Sequence, residues 1–152
     1  MPQLRATPLA VWERDGLKAA LLRAGLPADD VAEPDRLFWR FERYDDMPVG
    51  FGGLEIHGAD ALLRSIVILP PLRRRGSGRA VVGALEQEAQ LHGCRAIYLL
   101  TMSEADFFAR LGYAACARDS VPDAIRASRQ FASLCPDNAT AMVKRLPGIR
   151  RQ

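Results

Sequence analysis

The sequence predicts one α/β (α+β) domain built on a mixed sheet with helices on both faces. Three observations predict it. Strand-like runs and helical stripes alternate along most of the chain. An apolar, β-branched run at Leu62–Leu69 passes through a loop with two glycines into an amphipathic segment, Arg79–His92. A chain of 152 residues with 49% hydrophobic content fills one sizeable core and is too short for two.

The elements follow in order. Leu4–Val11 reads as a first strand that Pro8 confines to a sheet edge, because proline cannot donate to a ladder. Asp15–Ala24 reads as a helix with Leu17, Leu21 and Leu22 on its stripe and Gly25 as its stop. Residues 27–34 are a polar connection or a short turn. Arg36–Arg43 and Val49–His57 read as an antiparallel pair joined by a turn at Asp45-Asp46-Met47-Pro48. After the strand at Leu62–Leu69, the helix at Arg79–His92 places Val81, Val82, Leu85 and Ala89 on one stripe. Gly93 breaks it ahead of a strand at Arg95–Thr101. A short helix at 103–110, a strand at Tyr113–Ala117 and a last strand at Ala141–Leu146 complete the sheet. Between the last two strands, residues 121–138 read as a short helical insertion, with Ile125, Phe131 and Leu134 available to plug the sheet. The whole chain, 1–152, reads as one domain.

The loop between the strand and the long helix carries most chemistry. In Pro71-Leu72-Arg73-Arg74-Arg75-Gly76-Ser77-Gly78-Arg79, the glycines let successive backbone N–H groups point into one concavity at a helix start. Unpaired amides and the helix dipole favour phosphate oxygens there, and the arginines add charge. A dinucleotide fingerprint is excluded by its missing third glycine, and a P-loop by the absence of Gly-Lys-Ser/Thr.

Lys plus Arg number 21 and Asp plus Glu 18, a net +3 that the loop arginines can supply alone. That balance argues for one anionic ligand site and against a nucleic-acid face, which carries a broad basic stripe with aromatic platforms. Cys94, Cys116 and Cys135 are an odd number without a Cys-x-x-Cys pair, so they suit a reducing compartment and form no zinc pattern. No metal is expected. With no leader pattern and no long apolar run, the expectation is a cytoplasmic protein without a membrane contact.

Arg73-x-x-Gly76-x-Gly78 resembles the acyl-CoA pyrophosphate loop of the GNAT superfamily of N-acyltransferases, matching its three fixed positions. Downstream, Phe107-Phe108-Ala109-Arg110-Leu111-Gly112-Tyr113 resembles that superfamily's Phe-Tyr-x-x-x-Gly-Phe segment. The resemblance implies a mostly antiparallel, six- to seven-stranded sheet with a V-shaped splay between two central parallel strands. It implies acetyl-CoA as co-substrate, an amine as acceptor, direct transfer between them, and a homodimer in many relatives. The coenzyme's pyrophosphate would lie on Arg73, Arg74, Arg75, Gly76, Ser77, Gly78 and Arg79, and its pantetheine arm along Ile66, Val67 and Ile68, with Phe107 and Phe108 alongside. Pro122-Asp123-Ala124-Ile125, the run from Gln130 to Pro136 and Met142-Val143-Lys144-Arg145-Leu146 resemble a subfamily associated with arsenic-resistance operons. Arg64-Ser65-Ile66-Val67 and Tyr98-Leu99-Leu100-Thr101 add to that likeness, which implies an amino-acid-like or arsenical acceptor.

Direct transfer to an amine needs a neutral nucleophile, a polarised carbonyl and a proton for the leaving thiolate. Relatives use the Tyr of the Phe-Tyr pair for that proton; here the position is Phe108. Thr101, Ser103 and Tyr113 are the candidate hydroxyls, or water does the work; the alternative is a catalytically weak module that binds acyl-CoA or a ligand. Glu55 is the candidate base on a central strand, read equally as a solvated strand end, with His57 one pleat further. Arg64, inside an apolar run, needs an anion: a substrate carboxylate, Glu55, or water. Arg126 and Arg129 in the insertion are candidate anchors for an anionic acceptor.

Overall fold

Seven strands among the described residues form one sheet in the order β1-β2-β3-β4-β5-β7-β6. The computed structural model describes residues 4–26, 28, 31, 36–70, 76–128 and 139–147. The elements are β1 Leu4–Pro8, α1 Asp15–Arg23, β2 Arg36–Arg43, β3 Pro48–His57, β4 Asp60–Ile68, α2 Ser77–Leu91, β5 Ala96–Thr101, α3 Ala105–Arg110, β6 Ala114–Ala115, α4 Asp123–Arg126 and β7 Thr140–Arg145. Among these described strands only β4 and β5 pair in parallel, and every other neighbouring pair is antiparallel. The expected edge position of the proline-containing first strand holds, since β1 pairs only with β2.

Pleating sends alternate side chains to opposite faces, and each face has its own core. On one face α2 buries Val81, Val82, Leu85 and Ala89, the predicted stripe, against Trp39, Phe41, Leu54, Leu63, Ile97 and Leu99. Each fully buried Val or Leu there contributes about 1.5–3 kcal/mol. On the other face Leu17, Ala20 and Leu21 of α1 pack with Leu9, Phe38 and Val67, and Ile125 of α4 packs with Leu62, Tyr98 and Ala141. Adjacent glycines in β3 bring both layers close. A Cβ on Gly52 would stand 2.6 Å from Leu85 Cδ1, and one on Gly53 would stand 2.5 Å from the Phe38 ring.

Several boundaries and one packing position differ from expectation. Leu22 is 61% exposed, and Ala20 takes its place on the buried stripe of α1. The cause is angular: Leu22 follows Leu21 by about 100° around the helix, which turns it off the face that Leu17 and Leu21 share. The helix α2 begins two residues before the expected Arg79, because Gly76 supplies a left-handed start that lets Ser77 enter the first turn. The sixth strand shrinks to Ala114–Ala115, and Tyr113 precedes it in the core. Of the insertion, α4 and Ile125 are described, while Arg129, Phe131 and Leu134 lie outside the described residues. No described helix is long and apolar enough to cross a membrane.

Candidate functional site

The parallel pairing of β4 with β5 covers three residue pairs, Asp60↔Ala96, Ala61↔Ile97 and Leu62↔Tyr98. Past that point β4 stays with β3, through Phe51↔Val67 and Gly50↔Ile68, while β5 stays with β7, through Leu99↔Met142, Leu100↔Ala141 and Thr101↔Thr140. The two strands therefore diverge, each held by its outer neighbour. Among the described residues no β4–β5 pair follows Leu62↔Tyr98, and an extended ligand can enter such a gap as an added strand does. The expected V-shaped splay is present, and Ile66, Val67 and Ile68 lie along its β4 side.

A bulge sits on that side. Between the pairs Gly53↔Arg64 and Phe51↔Val67, β3 supplies one residue and β4 supplies two, Ser65 and Ile66. Ser65 has φ of 61°, a left-handed conformation that costs a non-glycine residue about 1–2 kcal/mol. The extra residue resets the alternation. Leu62 and Arg64 face α1 and α4, Ile66 and Ile68 pack on the α2 core, and Val67 packs under α1.

The open end of the splay meets the start of α2. Gly76 caps it with φ of 76°, and the first helical bond runs from the Ala80 N–H to the Gly76 carbonyl at 3.1 Å. The amides of Ser77, Gly78 and Arg79 precede that bond and fall among the first-turn donors that α-helices leave without helical partners. A Cβ on Gly76 would have no atom of the described residues within 4 Å. A Cβ on Gly78 would stand 3.1 Å from the Phe107 ring and 3.9 Å from Ile68 Cγ1. The two motif blocks thus meet in space beside the end of β4. Phe108 packs edge-on to Phe107 at 5.0 Å and to Tyr113 at 5.6 Å. Arg79 is exposed, and Arg73, Arg74 and Arg75 lie outside the described residues.

Beside the narrow end of the splay stands Glu55, opposite Leu62 in the ladder and 2% exposed. The Arg64 Nη1 donates to Glu55 Oε2 at 2.9 Å, and Arg36 Nε lies 3.9 Å from the same oxygen. His57 Nε2 lies 3.4 Å from Oε1. Arg64 and Arg14 also stand over the Phe38 ring, 5.5 and 5.0 Å from its centroid. Glu55 is therefore no solvated strand end. The Arg64 side chain has no exposed surface and is committed to Glu55, which favours the ion-pair reading over a direct hold on substrate. Arg36 went unnoticed in the sequence; it opens β2 opposite Glu55, and only the ladder register reveals that pairing.

Three other candidates are engaged elsewhere. Thr101 Oγ1 accepts the Glu104 N–H at 3.0 Å and closes the turn into α3. Arg126 bonds Asp123 Oδ1 at 2.7 Å on the surface of its own short helix. Tyr113, on the α2 face of the sheet, donates its hydroxyl to Glu86 Oε2 at 2.9 Å, and Lys144 Nζ holds Glu86 at 3.1 Å. Burial and then the Glu86 charge hold the Tyr113 phenol above its usual value. Tyr113→Phe is expected to lower stability by about 1.5–3 kcal/mol, the range for a hydrogen bond to a charged group, and to leave turnover unchanged. Denaturant melts and thiol-release rates check both. The raised phenol also sets a pH dependence. Below about pH 10 native and unfolded chains both hold the proton; above it the unfolded chain loses it first, so stability falls as pH rises.

Comparison with known proteins places this geometry among relatives. The Acetyltransferase (GNAT) family matches residues 4–113. The uncharacterized protein YyaT of Bacillus subtilis is 32% identical over 83 residues, 54% of this chain and 56% of its own length, so this chain spans about half of that curated relative. Among solved structures, the N-acetylglutamate synthase of Neisseria gonorrhoeae complexed with coenzyme A and N-acetyl-glutamate superposes with a TM-score of 0.76 at 16% identity. That match covers 97% of this chain and 36% of the other. The protein Rv2747 of Mycobacterium tuberculosis in complex with CoA superposes with a TM-score of 0.75 at 20% identity, covering 96% and 100%. At these identities the likeness is one of fold.

Proposed function

Because the chain belongs to the acetyltransferase (GNAT) family, we propose that it is an acetyl-CoA-dependent N-acetyltransferase that moves the acetyl group directly to the amine of a small molecule. The observation that carries this reading is the divergence of β4 from β5 after Leu62↔Tyr98, with a glycine-capped helix start at its open end and a buried carboxylate at its narrow end. The amides of Ser77, Gly78 and Arg79 suit the pyrophosphate, with Arg73, Arg74 and Arg75 supplying charge. The main chain at Ile66–Ile68 suits the pantetheine arm, and Phe107 walls the arm against Gly78.

In this reading Glu55 accepts a proton from the incoming ammonium, directly or through one water. Arg64 and Arg36 fix the carboxylate through Oε2 and leave Oε1 on the side of His57. A strand N–H beside the bulge polarises the thioester carbonyl. The acceptor approaches from the α1 and α4 side, where the insertion begins. An amino-acid-like acceptor with an extra anionic group, arsenical compounds included, follows from the likeness of the 122–146 stretch to the arsenic-resistance subfamily; Arg129, in that insertion, is the proposed anchor. We place the protein in the cytoplasm, in keeping with free Cys94 and Cys116.

One observation favours a second reading, a module that binds acyl-CoA with little turnover: Phe108 brings no hydroxyl to the place where relatives carry one. Thiol release from acetyl-CoA, followed across a panel of amino acids and phosphinic and arsenical analogues, separates the two. The enzyme reading expects amine-dependent release, fastest with acceptors that carry a second anionic group. Tight coenzyme binding without release from any amine would refute it.

A further inference from the structure

Departure of coenzyme A as a thiolate needs a proton, and the residue at the usual donor position, Phe108, has none to give. The hydroxyls of Tyr113 and Thr101 are engaged with Glu86 and with the turn before α3. Another hydroxyl belongs to β4 beyond the last β4–β5 pair. Ser65 is the extra residue of the β4 bulge, three residues past the last β4–β5 pair, and is partly exposed where Arg64 beside it is buried. Its left-handed backbone, φ 61°, is a strained conformation that only the surrounding structure can maintain, and such strain clusters at functional sites. The Arg64 Nε donates to Ser65 Oγ at 3.1 Å. That bond fills one acceptor position of the hydroxyl and directs its single proton elsewhere. Arg64 holds Glu55 through Nη1 at the same time, so one guanidinium ties the carboxylate and the hydroxyl into a single frame.

Resting on the acetyltransferase reading above, we propose that the Ser65 hydroxyl carries a proton from the attacking amine to the departing thiolate. The ammonium of the acceptor first gives one proton to Glu55, and the neutral amine then adds to the thioester carbonyl. In the resulting tetrahedral centre the nitrogen carries one proton too many. Ser65 Oγ takes that proton and passes its own hydroxyl proton to sulfur as the C–S bond breaks and its electron pair leaves with sulfur. The products are the amide and the free thiol, Ser65 is restored, and the proton on Glu55 passes to solvent. A relay of this kind never leaves an alkoxide on serine, which a one-way donation would.

The test compares Ser65→Ala and Ser65→Gly with the unaltered chain in three measurements: kcat by thiol release, acetyl-CoA affinity by calorimetry, and Tm. The relay predicts a kcat lowered by about 100-fold in both variants, with coenzyme affinity kept within a few-fold. Both variants lose the Arg64 Nε bond, and only glycine relieves the left-handed strain, so S65G is expected to melt about 2–4 °C above S65A while losing as much activity. A purely structural role predicts the reverse, activity that follows stability. Adding Phe108→Tyr to S65A should restore much of the rate by returning a donor to the usual place. Unaltered kcat in S65G or S65A, or a loss of rate matched by a loss of coenzyme affinity, would overturn the relay alone. Absence of amine-dependent release from the unaltered chain would instead bring down the acetyltransferase reading, before any variant is made.

Discussion

Glu55→Gln is expected to slow thiol release by about 10²–10⁴-fold, the range that a positioned proton acceptor contributes. The same substitution carries a structural cost that must be separated from the chemical one. Glu55 is 3% exposed at its side chain and Arg64 is fully enclosed, with 2.9 Å between them. Removing one partner of such a pair leaves a charge in a dry place, at a cost of about 3–5 kcal/mol. Replacing both partners by groups of similar volume is far less damaging. The double variant Glu55→Gln with Arg64→Met is therefore expected to recover most of the lost stability and none of the lost rate. If rate returned together with stability, Glu55 would be a structural partner of Arg64 and nothing more.

Gly76→Val is expected to weaken acetyl-CoA binding by at least about 100-fold, or roughly 2.7 kcal/mol. Two effects combine. At φ of 76° a β-branched residue is strained, which pulls the start of α2 away from the geometry that aims its amides. The new side chain also enters a position where no atom of the described residues lies within 4 Å of its Cβ. Since no described residue stands there, the fold should survive with a loss of about 1–2 kcal/mol. Gly83 provides the control. It lies in the exposed middle of α2 with nothing within 4 Å of a Cβ, so Gly83→Ala should stabilise the helix by about 0.8–1.0 kcal/mol and leave coenzyme affinity alone.

What could be read without coordinates follows from how local each signal is. The stripe Val81, Val82, Leu85 and Ala89 repeats within one helix, and all four side chains are buried. The strand at Arg36–Arg43 was likewise legible to its boundaries, because its apolar and charged residues alternate in part. The splay was not legible from periodicity, since the point where β4 leaves β5 depends on which outer strand holds each; only the resemblance to acyltransferases suggested it. Arg64 shows the same limit from another side. Its polarity inside an apolar run announced a need for an anion, but the choice of Glu55 depends on β3–β4 register and on the bulge at Ser65, both set across the sheet. The bond from Tyr113 to Glu86 was not legible either, because Glu86 lies on α2, a contact that no local pattern predicts.

The claim on which the rest depends is that coenzyme A occupies the gap between β4 and β5 and reaches the start of α2. Amide hydrogen exchange, read residue by residue with and without acetyl-CoA, tests it most directly. The account predicts new protection at Ile66–Ile68 and at Ser77–Arg79, with little change in β1 and β2. Protection confined to other parts of the chain, or no change at saturating acetyl-CoA, would contradict it.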